Sequence, residues 1–164
     1  VFIAPPDPAC PVAEAAELAG RAAVCAEARS WLGTPWHHRG RVKGVGVDCA
    51  QFPLRVYAAC GLVHDFDTGE YPRDWHIHRG EERYLGFVQR IAAEIEPAAA
   101  QPGDLLLFRI GRVYSHGAIL LAWPQGIHAA VNEGCVTLVD LDRDAGLITA
   151  DRRCFTLKVW ADGR

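Results

Sequence analysis

Cys49 is the residue in this chain best placed to act as a nucleophile. It follows a glycine-rich stretch and opens a segment of helical spacing, and the positive end of a helix dipole favours a thiolate. Cys25 and Cys60 fall in apolar helical settings where burial keeps a thiol inert, Cys10 lies among prolines, and Cys135 and Cys154 fall in strand or turn contexts. A nucleophilic thiol needs a base, which comes from elsewhere in the chain because such partners are neighbours in space. His116 begins the apolar run His-Gly-Ala-Ile-Leu-Leu-Ala-Trp, where a strand can aim its imidazole at the helix start and Gly117 permits close approach. His128, in Gly-Ile-His-Ala on the next strand segment, is placed to hydrogen-bond His116 and fix its tautomer. Taken singly, each has a plainer reading: Cys49 as a small helix-start residue, His116 and His128 as structural histidines.

The elements that must position these residues are legible in outline. Pro5, Pro6, Pro8 and Pro11 exclude a helix over 1–11 and favour an extended arm, leaving 12–164 as one domain. The Ala/Glu-rich stretch 12–32, with Val24, Ala28, Trp31 and Leu32 at helical spacing and a weak point at Gly20, predicts one or two helices. Residues 33–48, rich in Gly and basic side chains, read as a loop that delivers the chain to Asp48. A helix is expected over 49–60, with Asp48 and Gln51 as a capping pair and Gly61 as its stop. Pro53 distorts its first turn, since it leaves the Cys49 carbonyl without the usual helical donor. Tyr84, Phe87, Val88, Ile91 and Ile95 mark another helix, ended by Pro97. Strands are expected at 105–110, 116–123, 127–131, 136–141 and 155–160. Helices followed by a strand meander define an α+β domain, N-terminal helices packed on a C-terminal antiparallel sheet of about five to six strands.

Four segments together resemble a known family. Gly-Val-Asp-Cys-Ala-Gln-Phe, Gln-Pro-Gly-Asp-Leu-Leu-Leu-Phe, Ser-His-Gly-Ala-Ile-Leu-Leu and Gly-Ile-His-Ala are similar, in order and spacing, to the NlpC-type cysteine peptidases of bacterial cell walls. The resemblance covers about residues 25–140. It implies a papain-like fold, a Cys49–His116–His128 triad and hydrolysis of amide bonds in peptidoglycan stem peptides. The segment Trp-Leu-Gly-Thr-Pro-Trp-His-His-Arg-Gly looks most similar to the phage-tail and gene-transfer-agent members, which implies tail hub or tip proteins as partners. Two positions depart from the pattern. Trp36 stands where the family has Tyr, so it can pack on substrate and donate through its indole but offers no phenol. Ala50-Gln51 replace the usual Ser-Gly, which removes a hydroxyl. Asp48 keeps its place, either to bind the stem's terminal amine or to cap the helix.

Composition narrows the alternatives. A formal charge of −3, with both signs mixed along the chain, builds no field for nucleic acid. No apolar run approaches the roughly 18 residues that span a bilayer, so no membrane insertion is expected. The start carries no basic flank before an apolar stretch, so the expectation is synthesis in the cytoplasm without a signal peptide, incorporation in a phage-like particle and action in the periplasm or cell wall. His37, His38, His64, His76 and His78 lie in loops without a completing Cys or carboxylate set; the thiol mechanism calls for no metal or other cofactor. Arg39, Arg41 and Lys43 either meet wall-peptide carboxylates or are solvated. Two rival functions remain open at this stage: an amidase or acyltransferase of the same fold, and a tail-tip plug with little turnover.

Overall fold

Strong helix formers carry Pro11–Arg29 into one continuous helix, α1, despite the cost of about 1 kcal/mol at Gly20. The Trp160 indole packs over this position, where a Cβ would lie 3.4 Å from it, at the edge of ordinary contact. The computed structural model describes residues 11–71 and 81–161, so the expected arm lies outside the described residues except for Pro11, which opens α1. Helix α1 buries Val24 and Ala28, and Trp31 follows in the turn beyond.

The stretch expected as a plain loop contains a small hairpin, β1 (Arg41–Val42) with β2 (Gly46–Val47). Helix α2 spans Gln51–Ala59, two residues later than expected, and buries Phe52, Val56 and Tyr57. Helix α3 spans Arg83–Ile91. The helical spacing read over 84–95 does not continue: Ala92–Ile95 form strand β3, paired antiparallel with the last strand. The sheet takes this segment because pairing completes its backbone hydrogen bonds and sets Glu94 against Arg153, whose Nε donates to Oε1 at 2.7 Å. A short 3₁₀ turn, Pro97–Ala99, leads on.

Strands β4 (Leu105–Ile110), β5 (Val113–Ala122), β6 (Gln125–Ala130), β7 (Cys135–Asp140) and β8 (Arg152–Leu157) complete a six-stranded antiparallel sheet in the order β3-β8-β4-β5-β6-β7. The last strand was expected at 155–160. It sits earlier because Leu105 pairs with Phe155 and Phe108 with Arg152, and the chain then turns into a four-residue helix, α4 (Lys158–Ala161). That turn brings the Trp160 ring to 4.2 Å from the Arg21 guanidinium.

The sheet separates two cores. Phe52, Tyr57, Tyr84, Leu105, Leu107, Ile119, Ile127 and Phe155 pack with the helices, and Leu106, Phe108, Ala118, Leu120, Leu141 and Leu147 form a smaller core on the other face. A fully buried Phe or Leu contributes about 1.5–3 kcal/mol, so this two-sided burial holds the sheet that carries both histidines. Among the described residues no helix is long and apolar enough to cross a membrane.

Candidate active site

Asp48 organises the chain around Cys49. Its Oδ1 accepts the amides of Ala50 (3.1 Å) and Gln51 (2.9 Å), capping α2, and its Oδ2 accepts the amide of Arg39 (2.8 Å) and the hydroxyl of Tyr71 (2.7 Å). The expected capping pair is thus only half formed, because the Gln51 side chain turns away and donates to Thr68 Oγ1 at 2.7 Å. Arg39 adopts a left-handed φ of 59°, and the bond from its amide to Asp48 helps hold that uncommon conformation. The loop is bracketed by backbone bonds from Trp36 to Gly134 (2.7 Å) and from His37 to Val47 (3.0 Å). Gly46 is required there, since a Cβ would lie 2.7 Å from the His37 Cβ.

Cys49 precedes α2 rather than opening it. Its thiol donates to the carbonyl of Ser115 at 3.4 Å. That carbonyl is presented by a bulge: Phe108 pairs with His116 and Arg109 with Tyr114, so Ser115 is the extra residue in β5. His116 follows directly. Its Nε2 lies 2.8 Å from His128 Nδ1, the rings meet edge to face with centroids 4.9 Å apart, and Phe108 packs 6.3 Å from the His116 ring. With Nε2 engaged by His128, Nδ1 is the His116 nitrogen left to serve Cys49. Both side chains line one cleft of about 190 Å³ with Trp36, His38, Asp48, Tyr71 and Val131.

The electrostatics differ from what the helix start alone implies. Burial, aided by the charge of Asp48, pushes the Cys49 thiol far above its ordinary value, against the lowering effect of the Cys49 and Ala50 amides. The reason is visible in the cap: the carboxylate that fills the helix end also cancels much of its positive character. Burial and then the neighbouring His128 pull His116 down to about 3. Burial pulls His128 down to about 4, with Asp144 opposing. The resting site therefore holds a neutral thiol beside two neutral imidazoles.

All five residues expected at the site, Cys49, His116, His128, Asp48 and Trp36, are brought together, although His128 stands behind His116 rather than in the cleft wall. Trp36 is half-buried and stacks at 6.4 Å on His38, whose Nε2 donates to the carbonyl of Tyr71 at 2.9 Å. The basic side chains of 39–43 are engaged within the chain, Arg39 with Glu70, Arg41 with Asp65 and Lys43 with Glu27. His76 and His78 lie outside the described residues. Cys25, Cys49, Cys60, Cys135 and Cys154 are free thiols. Sequence reasoning missed Tyr71, Ser115 and Tyr84. For Tyr84 a signal existed, since the missing amide of Pro53 called for another donor to the Cys49 carbonyl, and the Tyr84 hydroxyl donates there at 3.0 Å.

A thiol, an imidazole and an orienting imidazole at the junction of a helix start and an antiparallel sheet define a papain-like α+β domain. The NlpC/P60 family pattern matches residues 33–145, and the chain belongs to that family. Among solved structures it is similar to the NlpC/p60 domain of the peptidoglycan hydrolase SagA, at 26% identity and a TM-score of 0.58 over 81% of this chain and 96% of that one. It is also similar in fold to the peptidoglycan hydrolase RipB from Mycobacterium tuberculosis (21% identity, TM-score 0.59, 95% of this chain and 73% of that one). RipD from the same organism, a non-catalytic NlpC/p60 domain protein adapted to peptidoglycan binding, matches at 17% identity and a TM-score of 0.54 over 84% and 96% of the two chains. The chain spans less than half of some longer neighbours, 45% of one and 39% of another. No curated protein matches it in sequence.

Proposed function

We propose that this protein is a cysteine peptidase that hydrolyses amide bonds in peptidoglycan stem peptides. The observation that carries this reading is the set of Cys49 and His116 in one cleft with His128 at 2.8 Å behind the base. Neutral His116 takes the Cys49 proton at Nδ1 as Sγ attacks the carbonyl carbon, and the charge arising on the imidazole is shared through Nε2–H to His128 Nδ1. The Ala50 and Gln51 amides are committed to Asp48, which leaves the Cys49 amide as the helix-start donor for the oxyanion. His116 returns the proton to the amine as the C–N bond breaks. Water, deprotonated by His116, then attacks the thioester and releases the carboxylate and the thiol. Trp36 packs on the stem peptide, and Asp48, with four donors already upon it, holds the amine only where the amine displaces or adds to one of them. Purified peptidoglycan digested by the wild type and by Cys49→Ala tests the reading: stem-peptide fragments are expected from the first alone.

We further propose that the peptidase works in a phage-like tail and opens the wall locally during entry, on the similarity of residues 31–49 to tail-associated members. The residues ahead of α1, 1–10, are then the docking arm. Particles carrying arm-deleted protein should lose the peptidase while the isolated domain keeps its hydrolysis, and normal incorporation without the arm refutes the docking role.

A second reading, a binding or plug protein with little turnover, draws on the neutral Cys49 thiol and on the similarity to RipD. Tight binding of stem peptides with no turnover, unchanged in Cys49→Ala, would select it.

A further inference from the structure

The first turn of α2 lacks one rung. Phe52 donates its amide to the Asp48 carbonyl at 2.9 Å, and the next bond of that ladder would run from residue 53 to the Cys49 carbonyl. Pro53 has no N–H to give. From α3, the buried Tyr84 reaches across and donates its hydroxyl to that carbonyl at 3.0 Å. The space it occupies exists because residue 117 has no side chain, since a Cβ on Gly117 would lie 2.2 Å from the Tyr84 oxygen. The phenol remains a donor, because burial first, with the charge of Asp48 adding to it, holds it well above its ordinary value.

We propose that Tyr84 is a positioning residue for the nucleophile, replacing from another helix the hydrogen bond that Pro53 withholds. The Cys49–Ala50 peptide is a rigid plane. Tyr84 holds its carbonyl end, and Asp48 Oδ1 holds its amide end at 3.1 Å. Pinned at both ends, the plane fixes the backbone that aims the Cys49 thiol and amide into the cleft. The same hydroxyl rests on Gly117, beside His116, so it also sets the spacing between the nucleophile's backbone and the strand that bears the base.

This inference rests on Cys49 as the nucleophile, and its test separates the two. In the full chain, Tyr84→Phe and the pair Pro53→Ala with Tyr84→Phe are compared with wild type. Stem-peptide turnover and the rate of Cys49 alkylation by iodoacetamide, read by mass analysis, are both measured. Tyr84→Phe should lower kcat about tenfold or more with KM little changed, since it leaves a buried carbonyl without a donor. It should also change the alkylation rate at least about threefold in the absence of substrate, the margin a displaced thiol gives. Pro53→Ala in that background supplies an amide at position 53 and should return both rates toward wild type, an effect that a packing role for Tyr84 does not produce. Wild-type kcat and alkylation in Tyr84→Phe, or a double variant no better than the single one, overturns the proposal. A wild type that alkylates but cuts no stem peptide refutes the nucleophile assignment, and the alkylation comparison still decides the role of Tyr84.

Discussion

Replacing His128 with Asn separates its two consequences, one for catalysis and one for acid stability. His128 is 5% exposed, and its pKa is pulled down to about 4. In the unfolded chain it returns to about 6.5, so as pH falls below that value the unfolded state binds a proton that the folded state refuses. Stability is therefore full above about pH 6.5 and is lost progressively toward the folded pKa of about 4. At pH 4.5 the loss from this one residue is on the order of 2–3 kcal/mol, from the two pKa values taken together. His128→Asn removes that cost while its amide oxygen can still accept from His116 Nε2–H, so turnover should stay within about fivefold of wild type, whereas His128→Ala should lose roughly 10- to 100-fold. Urea unfolding at pH 7 and pH 4.5 reads the stability arm. The expected result is a smaller drop between the two pH values in His128→Asn, by roughly 2–3 kcal/mol. Equal drops in both proteins would refute the buried, neutral state of His128.

Cys49→Ala and His116→Ala should each lower turnover more than about a hundredfold with the fold intact, read by circular dichroism beside the assay. The acid limb of kcat/KM should lie near pH 3, where His116 becomes protonated and can no longer accept the thiol proton; a limb near 6.5 in a folded enzyme would contradict the lowered pKa of His116. Asp48→Ala removes a helix cap and the anchor of Arg39 and Tyr71, and should cost about 1–2 kcal/mol from the cap alone, measured by denaturation, together with most activity. With Cys49 as the proposed nucleophile and His116 as the proposed base, alkylation should stop turnover and EDTA should leave it unchanged; zinc-restorable loss would refute this.

The strand meander was legible because Leu105–Ile110 and His116–Ala122 alternate or run apolar between clear turn signals, and their observed bounds differ from the pattern by a few residues at most. Where pairing overrides local pattern, the sequence misled. Ala92–Ile95 continue a helical period yet serve as the edge partner of β8, and residues 158–161 continue an apolar strand yet turn to seat Trp160 against Arg21. That Cys49, His116 and His128 lie close together was legible through the motifs that carry the family resemblance. The charge state of the thiol was not, because it depends on burial and on a carboxylate that caps the same helix end. Tyr71 and Ser115 were invisible because one arrives through a loop and the other through a bulge, and neither leaves a periodic trace.

The most direct test of the account is digestion of purified peptidoglycan by the full chain, with fragments identified by mass analysis and Cys49→Ala as the control. The account predicts stem-peptide fragments bearing one newly cut amide bond, released by the wild type and not by Cys49→Ala. Equal release by both proteins, or none by a wild type that is folded and alkylates at Cys49, would contradict it.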